Sequence, residues 1–188
     1  MRLFLALDTH DLDLDLKKLK VNLSKGKNLE HKWVPESQWH IPIFSPKDMG
    51  QARVNHLDLP IAELIRQHPP FDLKLEGVWA YPNQDHGRLL WIGVQNAKEL
   101  REIVSELSEA LESEAENDEK PFKPHLPIVR LKNYKAVSDL ISPFKNADFG
   151  KVRISNVILY EMTSGGAFPT FRKVRDYPLK EQELTARA

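Results

Sequence analysis

Cysteine is absent from the 188 residues, which removes disulfides, thiolate nucleophiles and cysteine zinc sites together. An excess of one charge is missing as well. Lys and Arg total 27, as do Asp and Glu, so no global basic field exists to gather long nucleic acid nonspecifically. Any role on nucleic acid must therefore be local. Long apolar runs are also lacking: "MRLFLALDTH" offers five apolar residues before Asp8, too few for a signal peptide or a membrane span. The expectation is a cytoplasmic protein without membrane contact. The length permits one sizeable core or two small lobes that share one, but not two independent domains. A single two-lobed domain over 1–180 is expected, with 181–188, "EQELTARA", a disordered tail that has little to bury.

Periodicity supplies the elements. Arg2 to Asp8 is short and apolar, a buried first strand. Leu12, Leu16, Leu19 and Leu23 recur at helical spacing, although "DLDLDL" alone alternates like a strand, and a helix is expected there. Strands are predicted at Trp39 to Phe44, Phe71 to Tyr81 and Arg88 to Val94, the last two joined by "PNQDHG", whose residues suit a hairpin loop. Leu57, Ile61, Leu64 and Ile65 mark a helix between the first two. Leu100, Ile103, Val104, Leu107 and Leu111 form a strongly amphipathic helix that runs into the acidic "ESEAENDEK", read as a solvated helix end. Strands follow at Lys123 to Arg130, Val152 to Tyr160 and Phe171 to Tyr177, with a helix around Val137, Leu140, Ile141 and Phe144. Strand and helix alternate in two similar halves, which suggests an internal duplication with two lobes facing each other.

Each half owns one copy of a tetrad. "KWVPESQWHIPIF" contains His40-Ile41-Pro42-Ile43 and "PFKPHLPIVR" contains His125-Leu126-Pro127-Ile128, 85 residues later. In a strand, residues two apart share a face, so each histidine shares a face with its proline. If the lobes face each other, both imidazoles look into one cleft. Histidine ionises near neutrality, so a pair with one neutral and one protonated member can deprotonate a water on one side of a phosphorus and protonate a leaving oxygen on the other. That chemistry needs neither metal nor cofactor. Glu36 and His40 stand four apart, but Pro35 and the strand pattern argue against a helix that would make them metal ligands.

With "RLFLALD", "GRLLWIGV" and "VILYEMTSGGAFPTFRKVRDYPL" added in this order, the sequence resembles the two-histidine (2H) phosphoesterases, specifically the LigT-like RNA 2',3'-cyclic phosphodiesterases, over nearly its whole length. The resemblance implies an α+β, bilobal, duplicated fold in which two antiparallel sheets face each other across a central cleft with helices outside. It implies that His40 and His125 are the catalytic pair and that Arg130 reaches the substrate. The implied partners are RNA ends or nucleotides carrying a cyclic phosphate, opened to a 2'-phosphate by a monomer. Which histidine is base and which acid is left open by the symmetry of the motifs.

The sequence also departs from that family. Relatives carry Thr or Ser where Pro42 and Pro127 stand, and those hydroxyls hydrogen-bond the phosphate. A hydrogen bond to a charged group contributes roughly 1.5 to 3 kcal/mol, so two lost bonds weaken the phosphate grip without removing the acid-base machinery. Proline also lacks the strand N–H and is expected at an edge or bulge. Phe44 shares the His40 face by alternation and is placed to stack on a base. Two rival readings follow: a binder of nucleotides or RNA ends without turnover, and a phosphodiesterase for another cyclic or 2'-5' linked nucleotide. Trp79 and Trp91 are expected in the core, and the lysines at 17, 18, 20, 25, 27 and 32 on a solvated face.

Overall fold

The structure, a computed structural model, describes residues 1–44, 47–111, 122–164 and 169–180. The expected tail and the acidic stretch "ESEAENDEK" lie outside the described residues. Ten strands and four α-helices alternate along these segments. β1 (Arg2–Asp8), β3 (His40–Pro42), β4 (Lys47–Asp48), β9 (Asn156–Ser164) and β10 (Pro169–Pro178) form one antiparallel sheet, ordered β10-β9-β1-β3 with β4 also on β1. β2 (His31–Trp33), β5 (Phe71–Tyr81), β6 (Gly87–Gln95), β7 (His125–Lys135) and β8 (Asp148–Ile154) form the other, ordered β2-β7-β6-β5-β8.

The two sheets do not correspond to the two halves of the sequence. Each takes strands from both halves, so the lobes are interleaved rather than consecutive. They meet where β3 runs against β7. The expected strand over Val152 to Tyr160 is in fact two strands, β8 in one sheet and β9 in the other, divided at Ser155.

Helices cover the outer faces. α2 (Gln51–Ile65) buries Val54, Leu57, Ile61 and Ile65 and packs against β10 and α3 (Lys98–Ala110), whose Leu100, Ile103 and Leu107 are fully buried. Tyr177 on β10 donates its hydroxyl to Asp58 on α2 at 2.9 Å. α1 (Lys17–Leu23) packs against α4 (Ser138–Ile141). The helix expected from Leu12 starts only at Lys17, whose N–H is accepted by the Asp15 carboxylate at 3.1 Å. Before it, Leu14 and Leu16 are buried in the alternating manner of an extended segment, so "DLDLDL" obeys its strand-like period and the helix follows it. One hydrophobic cluster runs through both lobes, from Leu5 of the first sheet to Leu90 of the second.

Candidate active site

His40 opens β3 and His125 opens β7, so the strands that join the two sheets each begin on a histidine. Both imidazoles are held in the same way. His40 Nδ1 lies 2.8 Å from the Gln38 carbonyl, and His125 Nδ1 lies 2.8 Å from the Lys123 carbonyl. A carbonyl can only accept, so in each neutral ring Nδ1 carries the proton and Nε2 is left with a free lone pair. Two unprotonated nitrogens are thereby fixed by backbone alone.

Their surroundings differ. His40 is 7% exposed and sits among Phe4, Tyr160 and Phe171, with the Phe171 ring edge-on at 4.8 Å. Burial lowers its pKa from 6.5 to about 4, against the Gln38 hydrogen bond, and the charges of Arg130 and His125 push the same way as burial. That those two groups act on His40 places all three in one electrostatic neighbourhood. His125 is only partly buried, with Trp91 edge-on at 5.4 Å, and burial lowers its pKa as well. Tyr160, behind His40, is pushed up to about 12 by burial and by Asp8 and Asp176, so its hydroxyl stays protonated.

Arg130 reaches this face through a bulge. Residues five apart point to opposite sides of a regular strand. Pairing with β6 runs Gly93 to His125, Ile92 to Leu126 and Trp91 to Pro127, then continues Leu90 to Val129 and Leu89 to Arg130. Ile128 is the extra residue, and it returns Arg130 to the side of His125 and Pro127. Burial and the nearby charge of Arg88 lower the Arg130 pKa, and among the described residues no carboxylate pairs with its guanidinium. A half-buried, unpaired cation of this kind is suited to an anion.

The two prolines occupy positions that tolerate them. β3 is the outer strand of its sheet, and Ile43 N–H donates to the Leu5 carbonyl at 2.8 Å. Ladder bonds to β1 therefore fall at Ile43 and in alternation at Ile41, while Pro42, opposite Ala6, has its nitrogen turned to the outer edge. Pro127 is buried and adjoins the bulge at Ile128. Phe44 does not continue the alternation. The N–H groups of Ile43 and Phe44 both point at the Leu5 carbonyl, which breaks the strand period, and Phe44 packs on the core beside Leu3, Leu5, Val54 and Leu57 under α2. The alternation that put Phe44 on the His40 face therefore does not hold at this residue.

Trp79 and Trp91, expected in the core, stand instead on the His125 face. Trp91 pairs across strands with both Trp79 and Pro127, both tryptophans are half-buried, and neither belongs to the hydrophobic cluster. For Trp91 the signal was in the sequence, since Leu90, Ile92 and Val94 alternate inward and leave it outward. For Trp79 it was hidden. Phe71, Leu73 and Leu75 set an inward odd-numbered phase that Gly77, at φ 77°, breaks with a bulge, so that Val78 turns inward and Trp79 outward.

Residues 12–166 match the model of the 2'-5' RNA ligase superfamily. The chain belongs to this family. A Methanocaldococcus jannaschii protein named RNA 2',3'-cyclic phosphodiesterase is 29% identical over 184 residues, covering 94% of this chain and 100% of its own. Its Methanothermobacter thermautotrophicus namesake is 25% identical over 179 residues, covering 93% and 97%. Among solved structures, TT0787 of Thermus thermophilus superposes with a TM-score of 0.71 at 20% identity, covering 97% of this chain and 100% of that one. E. coli LigT complexed with 3'-AMP gives 0.69 at 20% identity, covering 96% and 98%. The fold of these two structures is therefore that of this chain: two antiparallel sheets with helices packed against them.

Proposed function

We propose that this chain is an RNA 2',3'-cyclic phosphodiesterase that opens the cyclic phosphate of an RNA end or nucleotide to a 2'-phosphate. The observation that carries the reading is the matched anchoring of His40 and His125, which presents two free Nε2 atoms on the strands where the sheets meet. In the empty cleft at neutral pH both rings are neutral, because burial lowers both pKa values. An anionic phosphodiester entering between them favours protonation of one. The neutral imidazole then takes a proton from water as its oxygen bonds to phosphorus. The P–O3' bond breaks, and the imidazolium returns a proton to the departing 3'-oxygen. Arg130 holds the non-bridging oxygens, and Pro42 and Pro127 line the phosphate site without a hydroxyl to offer it. The same names carried by the Methanocaldococcus and Methanothermobacter relatives support the substrate class. Both histidines and the arginine come from one chain, so a monomer suffices.

The test is hydrolysis of 2',3'-cyclic nucleotides and of RNA ending in a cyclic phosphate, in the presence of EDTA. The expected product is the 2'-phosphate, with no loss of rate on chelation. Binding of these ligands without turnover would overturn the enzymatic reading and leave a protein that recognises RNA ends.

A further inference from the structure

Beyond the histidines, the most prominent unassigned feature is an aromatic stripe across the second sheet. Trp91 lies beside His125, and the Trp79 and Trp91 rings are stacked with centroids 6.3 Å apart and planes 28° from parallel. Tyr81, 59% exposed, follows Trp79 on the same face of β5. The two tryptophans are half-buried and stand outside the hydrophobic cluster, so this row is held on the sheet face rather than in the core.

The row is also built on a bare floor. A Cβ at Gly77 would fall 3.0 Å from Trp79 Nε1 and 2.5 Å from the Lys145 carbonyl, and one at Gly93 would fall 3.2 Å from Trp79 Nε1 and 2.6 Å from the Glu76 carbonyl. Neither glycine can carry a side chain. The Nε1 edge of the Trp79 indole therefore lies against naked backbone, its ring stacks on Trp91, and the side chain stays half-buried rather than enclosed.

We infer that Trp79, continued by Trp91, is a stacking platform for a nucleobase upstream of the reacting nucleotide, so that the cleft takes an RNA strand rather than its terminal nucleotide alone. This rests on the reading of the cleft as an RNA-end site. A cyclic phosphate closes the 3' end, so the rest of the strand must leave the histidines in one direction. Trp91 is one strand from His125 and Trp79 is two, or on the order of 10 Å at normal strand spacing, which is beyond the reacting phosphate and within reach of a neighbouring base. Every base presents a π-face, so the platform reads single-stranded RNA without choosing sequence. With zero net charge, the chain has no global field to hold a strand, and stacking supplies a local grip in its place.

The experiment measures binding, independent of turnover, of a short oligoribonucleotide ending in a cyclic phosphate and of the matching cyclic mononucleotide. Parent protein is compared with Trp79→Ala and with Trp79→Leu, which keeps the glycines covered and guards against misfolding of the first variant. Loss of one stacked base weakens oligonucleotide binding by about 5- to 150-fold, while mononucleotide binding stays within about twofold. Equal weakening of both ligands, or no change in either for a folded variant, overturns the platform. A parent that binds the oligonucleotide through Trp79 but hydrolyses neither ligand leaves the platform standing and removes the proposed activity. A parent that hydrolyses both while Trp79→Leu binds the oligonucleotide unchanged does the reverse.

Discussion

β3 and β7 both open on a histidine whose Nδ1–H is held by the carbonyl two residues back, yet β3 is a three-residue outer strand and β7 an eleven-residue inner one. The shared part is local: it depends on the turn of chain just before each histidine and fixes the tautomer. The differing part is tertiary. His40 is enclosed by Phe4, Tyr160 and Phe171, whereas among the described residues His125 has one aromatic neighbour, Trp91. Repetition in the sequence thus gives two imidazoles the same orientation and free nitrogen, while the sheets around them set unequal proton affinities. Acid-base catalysis needs both properties, one member of the pair protonated when the other is not.

Removal of either ring tests what the two strands share. His40→Ala and His125→Ala each lower kcat on a cyclic phosphate by about 10²- to 10⁴-fold, the range that positioned proton transfer supplies. The double variant falls little further, because groups that act as a unit are not additive. Steady-state rates decide this, with circular dichroism confirming the fold. A single variant that retains the parent rate takes that histidine out of the chemistry.

The inequality is tested by acid. His40 has its pKa lowered from 6.5 to about 4 in the folded protein, so between those values the unfolded chain binds a proton that the native one does not. Stability therefore rises with pH across this window and is lost as pH falls through it, by on the order of 3 kcal/mol for a group this buried. His125, lowered as well, adds a slope of the same sign. Urea unfolding across the window measures this slope. In His40→Leu it is much shallower, while in His125→Leu most of it remains. Equal slopes in the two variants would show that the rings are not unequally buried.

Much of this arrangement was legible in the sequence, up to a few specific residues. The tetrads placed His40 and His125, and alternation in "GRLLWIGV" already turned Trp91 away from Leu90 and Ile92. Three features depended on broken alternation. The bulge at Ile128 aligns Arg130 with His125, the bulge at Gly77 exposes Trp79, and the doubled bond to the Leu5 carbonyl turns Phe44 toward α2. Strand period predicts faces only while pairing is regular, and a bulge is decided by the partner strand. The interleaving of the lobes was hidden for a related reason. Ser155 divides two strands that read as one apolar run, and only pairing sends β8 and β9 to different sheets.

The smallest effect concerns the prolines, which make the two strands alike in what they lack. Pro42→Thr restores an N–H that points to the outer side of β3, where no bond to β1 is displaced, so the variant folds with parental stability. Its hydroxyl, on the face of His40, adds one hydrogen bond to a charged phosphate, at about 1.5 kcal/mol or roughly a tenfold gain in kcat/KM. Pro127→Thr puts the same hydroxyl beside His125, but Pro127 is buried against the Ile128 bulge, and the new N–H has to find a partner there. An unsatisfied donor costs about 1 to 3 kcal/mol, so Pro127→Thr is the less stable of the two variants by thermal melting. Kinetics on a 2',3'-cyclic nucleotide and melting of both single variants and the double one separate grip from fold. If the double Thr variant melts with the parent and neither binds more tightly nor turns over faster, the prolines do not stand in place of phosphate ligands, and the phosphate is held by Arg130 and backbone alone.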